Sequence, residues 1–503
     1  MEENFMLRKS LNADVIFTSL ERNIAQLKSI FADDATIGIR WIANCNDTTL
    51  KYCIIQNDGL VDSKIINNNI IKPLISSKVS LKRGEQIDVL MHQVISINQI
   101  KKTTQWKEII ESVTYGDSIL FIDGEAGALI LNSKSFSTRG ITEPSNEKVL
   151  LGPREGFCEA LMTNLSMVKR KIRNNDLKMK FQSFGVRTHT QICICYLDNI
   201  VNKKVLEELY RRLETINIDG VLDSHYITEF IQDSKLSPFN TIGYTERPDV
   251  VVGKLLEGRI ALFVDGSPVV LTLPYLFIEN FQSNEDYYLN YYYASLSRIL
   301  RIFGFVLSVT LPAFYLVTVA FNQEVYPTTL LINMVRERTG APLPAVLELI
   351  AMLILFEILK ETGIRIPTGI GQALSIVGAI VVGQAAVAAK LVAAPMLIVV
   401  ALTAISGFLV PKMNASIIYG RTLLILLSST FGLLGFFIGS SMILTHLLNL
   451  HSFGIPQIIS MDNMKYQEVK DTFIRGPWWK MIKRPSSLTE NKKRLNGDKG
   501  ECN

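Results

Sequence analysis

Three carboxylates set in an otherwise apolar stretch, Glu348, Glu357 and Glu361, are the residues of this 503-residue chain whose types ask most insistently for a task. A charge at the centre of a bilayer costs at least about 2.5 kcal/mol, so each needs a partner or a role. Lys360 follows Glu357 by three residues and Arg365 follows Glu361 by four, spacings that let a helix neutralise both locally. Glu348 has only Pro344, Ala345, Ala351 and Met352 as helical neighbours. It is a candidate for a polar path, for an interhelical partner such as Arg336 or for an ion contact, beside the plainer reading of a glutamate near a membrane surface. Glu348 and Glu357 lie nine residues apart, half a turn out of phase, so they cannot share one helix face. Gln372 and Gln384 complete the polar candidates of this half.

The remaining reactive types read as structure. Asp123-Gly124 and Asp265-Gly266 each sit between two apolar β runs, where the glycine supplies positive φ cheaply; these four are expected to be hairpin turn residues. Asp62-Ser63 and Asp223-Ser224 are placed to cap the helices after them. Cys193 and Cys195 alternate along a strand-like run with only His189 nearby, which favours two core residues over a metal site. Lys169, Arg170, Lys171 and Arg173 close a helix, where cations complement the dipole; contact with lipid headgroups or an acidic partner is the other reading. No nucleophile–base–orienter set, metal-ligand spacing or phosphate loop appears, so neither an enzyme nor a bound metal or cofactor is expected. The soluble half carries no basic, aromatic-interleaved stripe, which argues against nucleic acid.

The elements that hold these residues fall into two halves. The first 301 residues contain 35 basic and 36 acidic side chains, whereas 302–450 contains 7 and 5. The first half uses one pattern twice: a striped helix, a strand, Gly-x-x-Asp-Ser, and an apolar run ending in Asp-Gly. The expected fold is therefore an α/β two-lobed N-terminal region, 1–142 and 143–290, followed by an α-helical multi-span membrane domain, 291–450, and a basic tail, 451–503. The N-terminus has no apolar run of the signal-peptide type, and Arg298, Arg301 and the basic tail flank the apolar half, which places both ends on the cytoplasmic side. Ile302–Phe321, Ile366–Ala389, Leu391–Pro411 and Thr422–Leu450 are long enough to cross a bilayer; Leu343–Leu359 is expected to cross partially or to re-enter. Gly371, Ser375, Ala379 and Gly383 recur every four residues, and Ser428, Gly432, Gly435 and Gly439 form a second small-residue stripe, both suited to close helix packing and to a homo-oligomer.

Loose motifs occur in a specific order: Arg247-Pro-Asp249, Leu255-Leu-Glu257-Gly258-Arg259, Asp265-Gly266-x-Pro268, Asp286-Tyr287-Tyr288, Leu311-Pro312-Ala313-Phe314-Tyr315, Gln323-Glu324-x-x-Pro327-Thr328, Ile370-Gly371-Gln372-Ala373, Gly383-Gln384-Ala385-Ala386-Val387 and Ser452-Phe453-Gly454-Ile455-Pro456. In this order they resemble the A subunits of GerA-type spore germination receptors. The resemblance implies a multi-pass protein of the spore inner membrane. It also implies a permease-like B subunit and a lipoprotein C subunit as partners, and a role in turning nutrient sensing into ion release, with the A subunit as the oligomeric, channel-forming component. A secondary transporter for a small nutrient is the alternative; a midplane carboxylate would suit it, but no inverted repeat is visible.

Overall fold

The computed structural model describes residues 16–47, 50–77, 86–134, 143–144, 147, 149, 151–365, 381–458, 471–485, 488–489, 491 and 494. These divide into two compact units. One comprises the residues up to Gln232, Ile242–Pro274 and those from Ile482 onward; the other comprises Asp233–Thr241 and Tyr275–Met481. The boundaries differ from the sequence reading. Residues 275–290 group with the helices, and the tail is divided: its described residues up to Met481 group with the helices and those from Ile482 onward with the lobes.

The first unit holds two α/β lobes of the same design. In the first, strands β1 (Ile37–Ala43), β2 (Lys51–Asn57), β3 (Ile100–Thr103), β4 (Ser118–Ile122) and β5 (Ala128–Leu131) form an antiparallel sheet in the order β1-β2-β4-β5-β3. In the second, β6 (Leu177–Phe184), β7 (Thr190–Leu197), β8 (Gly243–Thr245), β9 (Ile260–Val264) and β10 (Val270–Leu273) repeat that order as β6-β7-β9-β10-β8. The two-residue period of a strand explains how the central strands are buried on both faces. In β2, Tyr52 and Ile54 enter one core with Ile66, Ile70 and Leu74, whereas Cys53 and Ile55 enter another with Leu20, Leu27 and Trp106. Helices α1 (Leu20–Ile30) and α2 (Trp106–Tyr115) cover that second face. Helices α3 (Leu161–Lys171) and α4 (Pro248–Leu256) cover the equivalent face of the second sheet.

The second unit is helical: α5 (Tyr291–Ala320), α6 (Thr328–Arg338), α7 (Ala345–Arg365), α8 (Ala394–Phe408) and α9 (Asn414–Asn449). Helix α5 starts at an Asn290 cap, well before the uncharged run, and continues through Pro312 without ending. Helix α7 is unbroken over 21 residues. Within Ala345–Leu359, therefore, nothing turns back, and of the two shapes expected there, a partial crossing or a re-entrant segment, the re-entrant one is replaced by a continuous rod. Helix α6, at 11 residues, reaches about 16 Å and is too short to cross a bilayer. Among the described residues, Tyr291–Ala320 and Pro411–Asn449 are the helices long and apolar enough to cross one by length and composition.

The second of these is not a single rod. Gly432 takes φ 62 and ψ −136, a conformation only glycine adopts without strain, and interrupts α9. A methyl group built on Gly420 would lie 3.6 Å from Ile443 Cδ1, and one on Gly439 would meet the side chains of Leu424 and Leu427. These residues would be far apart along a straight helix, because each residue advances the chain by 1.5 Å. Thus α9 is a hairpin of two antiparallel arms, 414–431 and 433–449. Its ends return to one place: Ser416 Oγ donates to Pro238 O at 2.6 Å, and His446 Nε2 lies 2.9 Å from Ser237 Oγ. The single crossing expected for Thr422–Leu450 is corrected to this hairpin.

Candidate functional site

Glu348 and Glu357 each make an interhelical contact in the helical unit. Glu348, in the first turn of α7, is fully buried, and its Oε1 accepts from the Ala393 amide at 2.5 Å. Ala393 is the N-cap of α8, so the carboxylate sits where that helix leaves backbone N–H groups unpaired and its dipole favours negative charge. A neighbouring helix supplies the cap that Ala393 itself cannot. Glu348 Oε2 has no hydrogen-bond partner among the described residues. The interhelical partner seen is a backbone amide of α8 and not the side chain of Arg336, which was one of the alternatives the sequence left open.

Glu357 lies two and a half turns further along α7. Its Oε1 accepts from Arg421 Nη2 of the first α9 arm at 3.0 Å, and Lys360 approaches its other oxygen at 3.7 Å. The local Lys360 pairing is present but is the weaker of the two. The interhelical arginine was missed because its spacing in sequence carries no signal. Glu361 pairs with Arg365 at 2.6 Å on an exposed face. Phe356 meets Phe408 at the far end of α8, so α7 and α8 run side by side in the same direction.

Of the packing candidates, Gly383 is buried with Leu397 against it, 3.3 Å from where a Cβ would stand. Gln384 beside it is exposed. Gly371, Gln372, Ser375 and Ala379 lie outside the described residues. Gly432 is the hairpin turn and Gly435 and Gly439 face the opposing arm, so the second stripe packs α9 against itself.

A third cluster joins the chain on either side of the helices. Arg298 Nε and Arg301 Nη1 both reach Asp286 Oδ2 at 2.9 Å, and Arg298 Nη1 also donates to Asp471 Oδ1 at 2.9 Å. Asp286 and Arg298 are fully buried. A buried ion pair of this kind tolerates the loss of neither partner, because the survivor is left uncompensated. The Asp286-Tyr287-Tyr288 motif therefore fixes the entry into α5. Ser452-Phe453-Gly454-Ile455-Pro456 forms a small β turn in which Ser452 Oγ donates to Thr241 O at 2.6 Å and accepts from Tyr275 N at 2.9 Å.

In the lobes, Asp123 and Asp265 occupy equivalent turns. Gly124 and Gly266 have φ of 86 and 84. Asp123 Oδ1 accepts from Leu20 N at 3.4 Å and Asp265 Oδ1 from Leu161 N at 3.2 Å, so each caps the first helix of its lobe. Asn23 and Asn164, one turn later, make matching loops back to Phe17 and Cys158. Cys193 and Cys195 are buried in the core that also takes Met179 and Phe263, and burial pushes both thiols up, which leaves them unreactive. Among the described residues, no group of three metal-ligating side chains comes together.

The basic end of α3 is engaged internally. Lys169 is buried and reaches back to the first lobe, bonding Asn57 Oδ1 at 2.6 Å, Thr36 Oγ1, and Asp34 Oδ2 at 3.4 Å. Burial pulls its ammonium below the ordinary range, with Asp34 opposing. Arg170 and Lys171 pair with Glu155, and the Arg173 guanidinium stacks 3.9 Å over Tyr115. The reading of this cluster as a lipid or partner contact is thereby replaced by a clamp between the lobes.

The family described as Bacillus/Clostridium GerA spore germination protein matches residues 25–487. Spore germination protein KA of Bacillus subtilis (strain 168) is 40% identical over 481 residues, covering 95% of this chain and 88% of that protein. Spore germination protein GerLA of Bacillus cereus is 35% identical, over 93% of this chain and 96% of its own length. The crystal structure of the N-terminal domain of the A subunit of the Bacillus megaterium spore germinant receptor GerK3 is similar at 31% identity, with a TM-score of 0.43, over 52% of this chain and 97% of that one.

Proposed function

The chain belongs to the GerA family of spore germination proteins, and from that premise we propose that it is the A subunit of a nutrient germinant receptor in the spore inner membrane, where it helps turn nutrient sensing into ion release. The observation that carries this reading is the extent of the match, which runs through both units of the chain. A role in spore germination follows from the relatives; the oligomeric channel role is the finer step.

That step is supported by the chemistry of the helical unit. Its helices expose apolar side chains such as Phe303, Phe314, Ile405, Leu434 and Phe437, as surfaces facing lipid or other helices do. Inside, charges are matched across helices, Glu357 to Arg421, and Glu348 to the N-terminus of α8. The two arms of α9, at about 25–27 Å each, are close to the thickness of a hydrocarbon core. With α5, α7, α8 and the crossing expected of Ile366–Ala389, most of which lies outside the described residues, they would make six crossings, an even number that leaves both termini on the cytoplasmic side. A permease-like B subunit, a lipoprotein C subunit and further copies of this chain are the partners.

Reconstitution tests the function. Purified chain in potassium-loaded liposomes, alone and with its partner subunits, is exposed to mixed amino acids, sugars and nucleosides. Nutrient-dependent ion flux supports the channel reading; stoichiometric nutrient uptake coupled to an ion would instead indicate a carrier.

A further inference from the structure

Beyond the last helix, the described part of the tail returns to the beginning of α5. Gln282 Nε2 donates to Asp471 O at 2.6 Å, Tyr287 Oη donates to Asp471 Oδ2 at 2.7 Å, and Arg475 N donates to Ser295 Oγ at 3.1 Å. Aromatic rings continue the contact: Trp478 lies 5.7 Å from Tyr287, and Trp479 meets Tyr291 edge-on at 6.1 Å. The Arg475 guanidinium lies 5.7 Å from the Trp478 ring. Residues 471–481 are therefore strapped to the first turns of α5.

The outer side of this strap is uncovered within the unit. Tyr292 is 71% exposed, Trp479 69% and Ile474 60%, with Phe473, Trp478 and Tyr293 also exposed. Tyrosine and tryptophan combine an apolar ring with one polar edge, which suits the boundary between headgroups and hydrocarbon. The ordering along α5 selects the occupant. Tyr292, Leu296, Ile299 and Phe303 follow one another at helical spacing on a single exposed face, with a polar-edged tyrosine at its beginning and wholly apolar side chains beyond. That is the order in which a helix meets a bilayer from headgroup to acyl chain, and it is continuous with the uncharged run that follows.

We propose that residues 471–481 and Tyr291–Tyr293 form an aromatic collar that beds in the headgroup layer of the bilayer and fixes the depth at which α5 enters it. The proposal rests on the membrane reading above. Its occupant is the lipid interface; a covering protein is an outcome the test can return.

Full-length protein is placed in phospholipid vesicles whose lipids carry a nitroxide either near the headgroup or near the acyl-chain end, and tryptophan fluorescence is followed. The chain has 4 tryptophans; Trp106 is buried in the core of the first lobe and Trp41 lies on β1 of the same lobe. The collar predicts strong quenching by the shallow nitroxide, weaker quenching by the deep one, and loss of the shallow quenching in W478F/W479F. If wild type and W478F/W479F both float with the vesicles but are quenched alike, the collar is overturned alone. Unimpeded quenching of Trp478 and Trp479 by aqueous iodide in the vesicles overturns it too, as does protection from both iodide and lipid nitroxide, which would place a protein over them. Failure to float overturns it together with the membrane reading.

Discussion

Gly420 and Ile443 lie against each other, the glycine on the first arm of α9 and the isoleucine on the second, with room for one methyl group at ordinary van der Waals distance. A straight helix would hold them about 35 Å apart. The hairpin predicts that G420C/I443C forms an intramolecular disulfide under mild oxidation, seen as a change in gel mobility that reductant reverses. Gly432→Val should abolish that crosslink and lower the amount of protein in the membrane, because a β-branched residue at positive φ is strained. A G420C/I443C variant that never crosslinks in otherwise well-expressed protein would restore the single-span picture.

At Glu348 the shape of the side chain and its charge can be separated. Gln keeps an oxygen able to accept from the Ala393 amide, whereas Ala removes the cap, a loss of about 0.5–2 kcal/mol at a helix start. E348A should therefore reduce receptor abundance, and E348Q should leave it near normal. Potassium efflux measured on the same spores decides the rest. A changed efflux rate in E348Q assigns the charge to ion movement, and an unchanged rate confines Glu348 to holding α8.

Much of this was legible in the sequence, and the illegible parts share a cause. The two lobes and their Asp-Gly turns follow from local pattern: period-two apolar runs, glycine at positive φ, an aspartate placed to cap. Lys169 looked like one of four cations at a helix end, and nothing near it in sequence announces Asp34 or Asn57. Arg421 was equally silent as the partner of Glu357. The α9 hairpin was hidden because Gly432 sits in an unbroken apolar run, where one glycine reads as a packing residue and not as a turn. Partners brought together by tertiary folding leave no periodic trace.

The Lys169 clamp yields a stability prediction. Lys169→Met leaves the Asp34 carboxylate buried without its cation, and breaking a buried pair in this way costs about 3–5 kcal/mol. Unfolding of the two-lobed unit within the purified full-length chain, followed by denaturant titration, should show that loss. D34N added to K169M should recover part of it. Equal stability of wild type and K169M would show that the clamp contributes nothing.

Glu155 gives a pH dependence. Burial alone would raise its carboxyl, but Arg170 and Lys171 outweigh that and hold it below the ordinary carboxylate range. A group with a depressed folded pKa stabilises above its unfolded value and loses that contribution as pH falls through the folded one. Glu155 is partly exposed, so the effect is small, under about 1 kcal/mol. Glu155→Gln should lower the melting temperature slightly at pH 7, and the difference from wild type should shrink as the pH is taken below about 4. A difference of constant size across that range would contradict the pairing.

Potassium release from spores tests the central claim most directly. The strain carries no other A-type subunit, and its spores are challenged with mixed amino acids, sugars and nucleosides, with and without this chain. A receptor subunit that converts nutrient sensing into ion release predicts prompt efflux with the chain, none when it is deleted, and recovery on complementation. Efflux that proceeds equally in the deletion would contradict it.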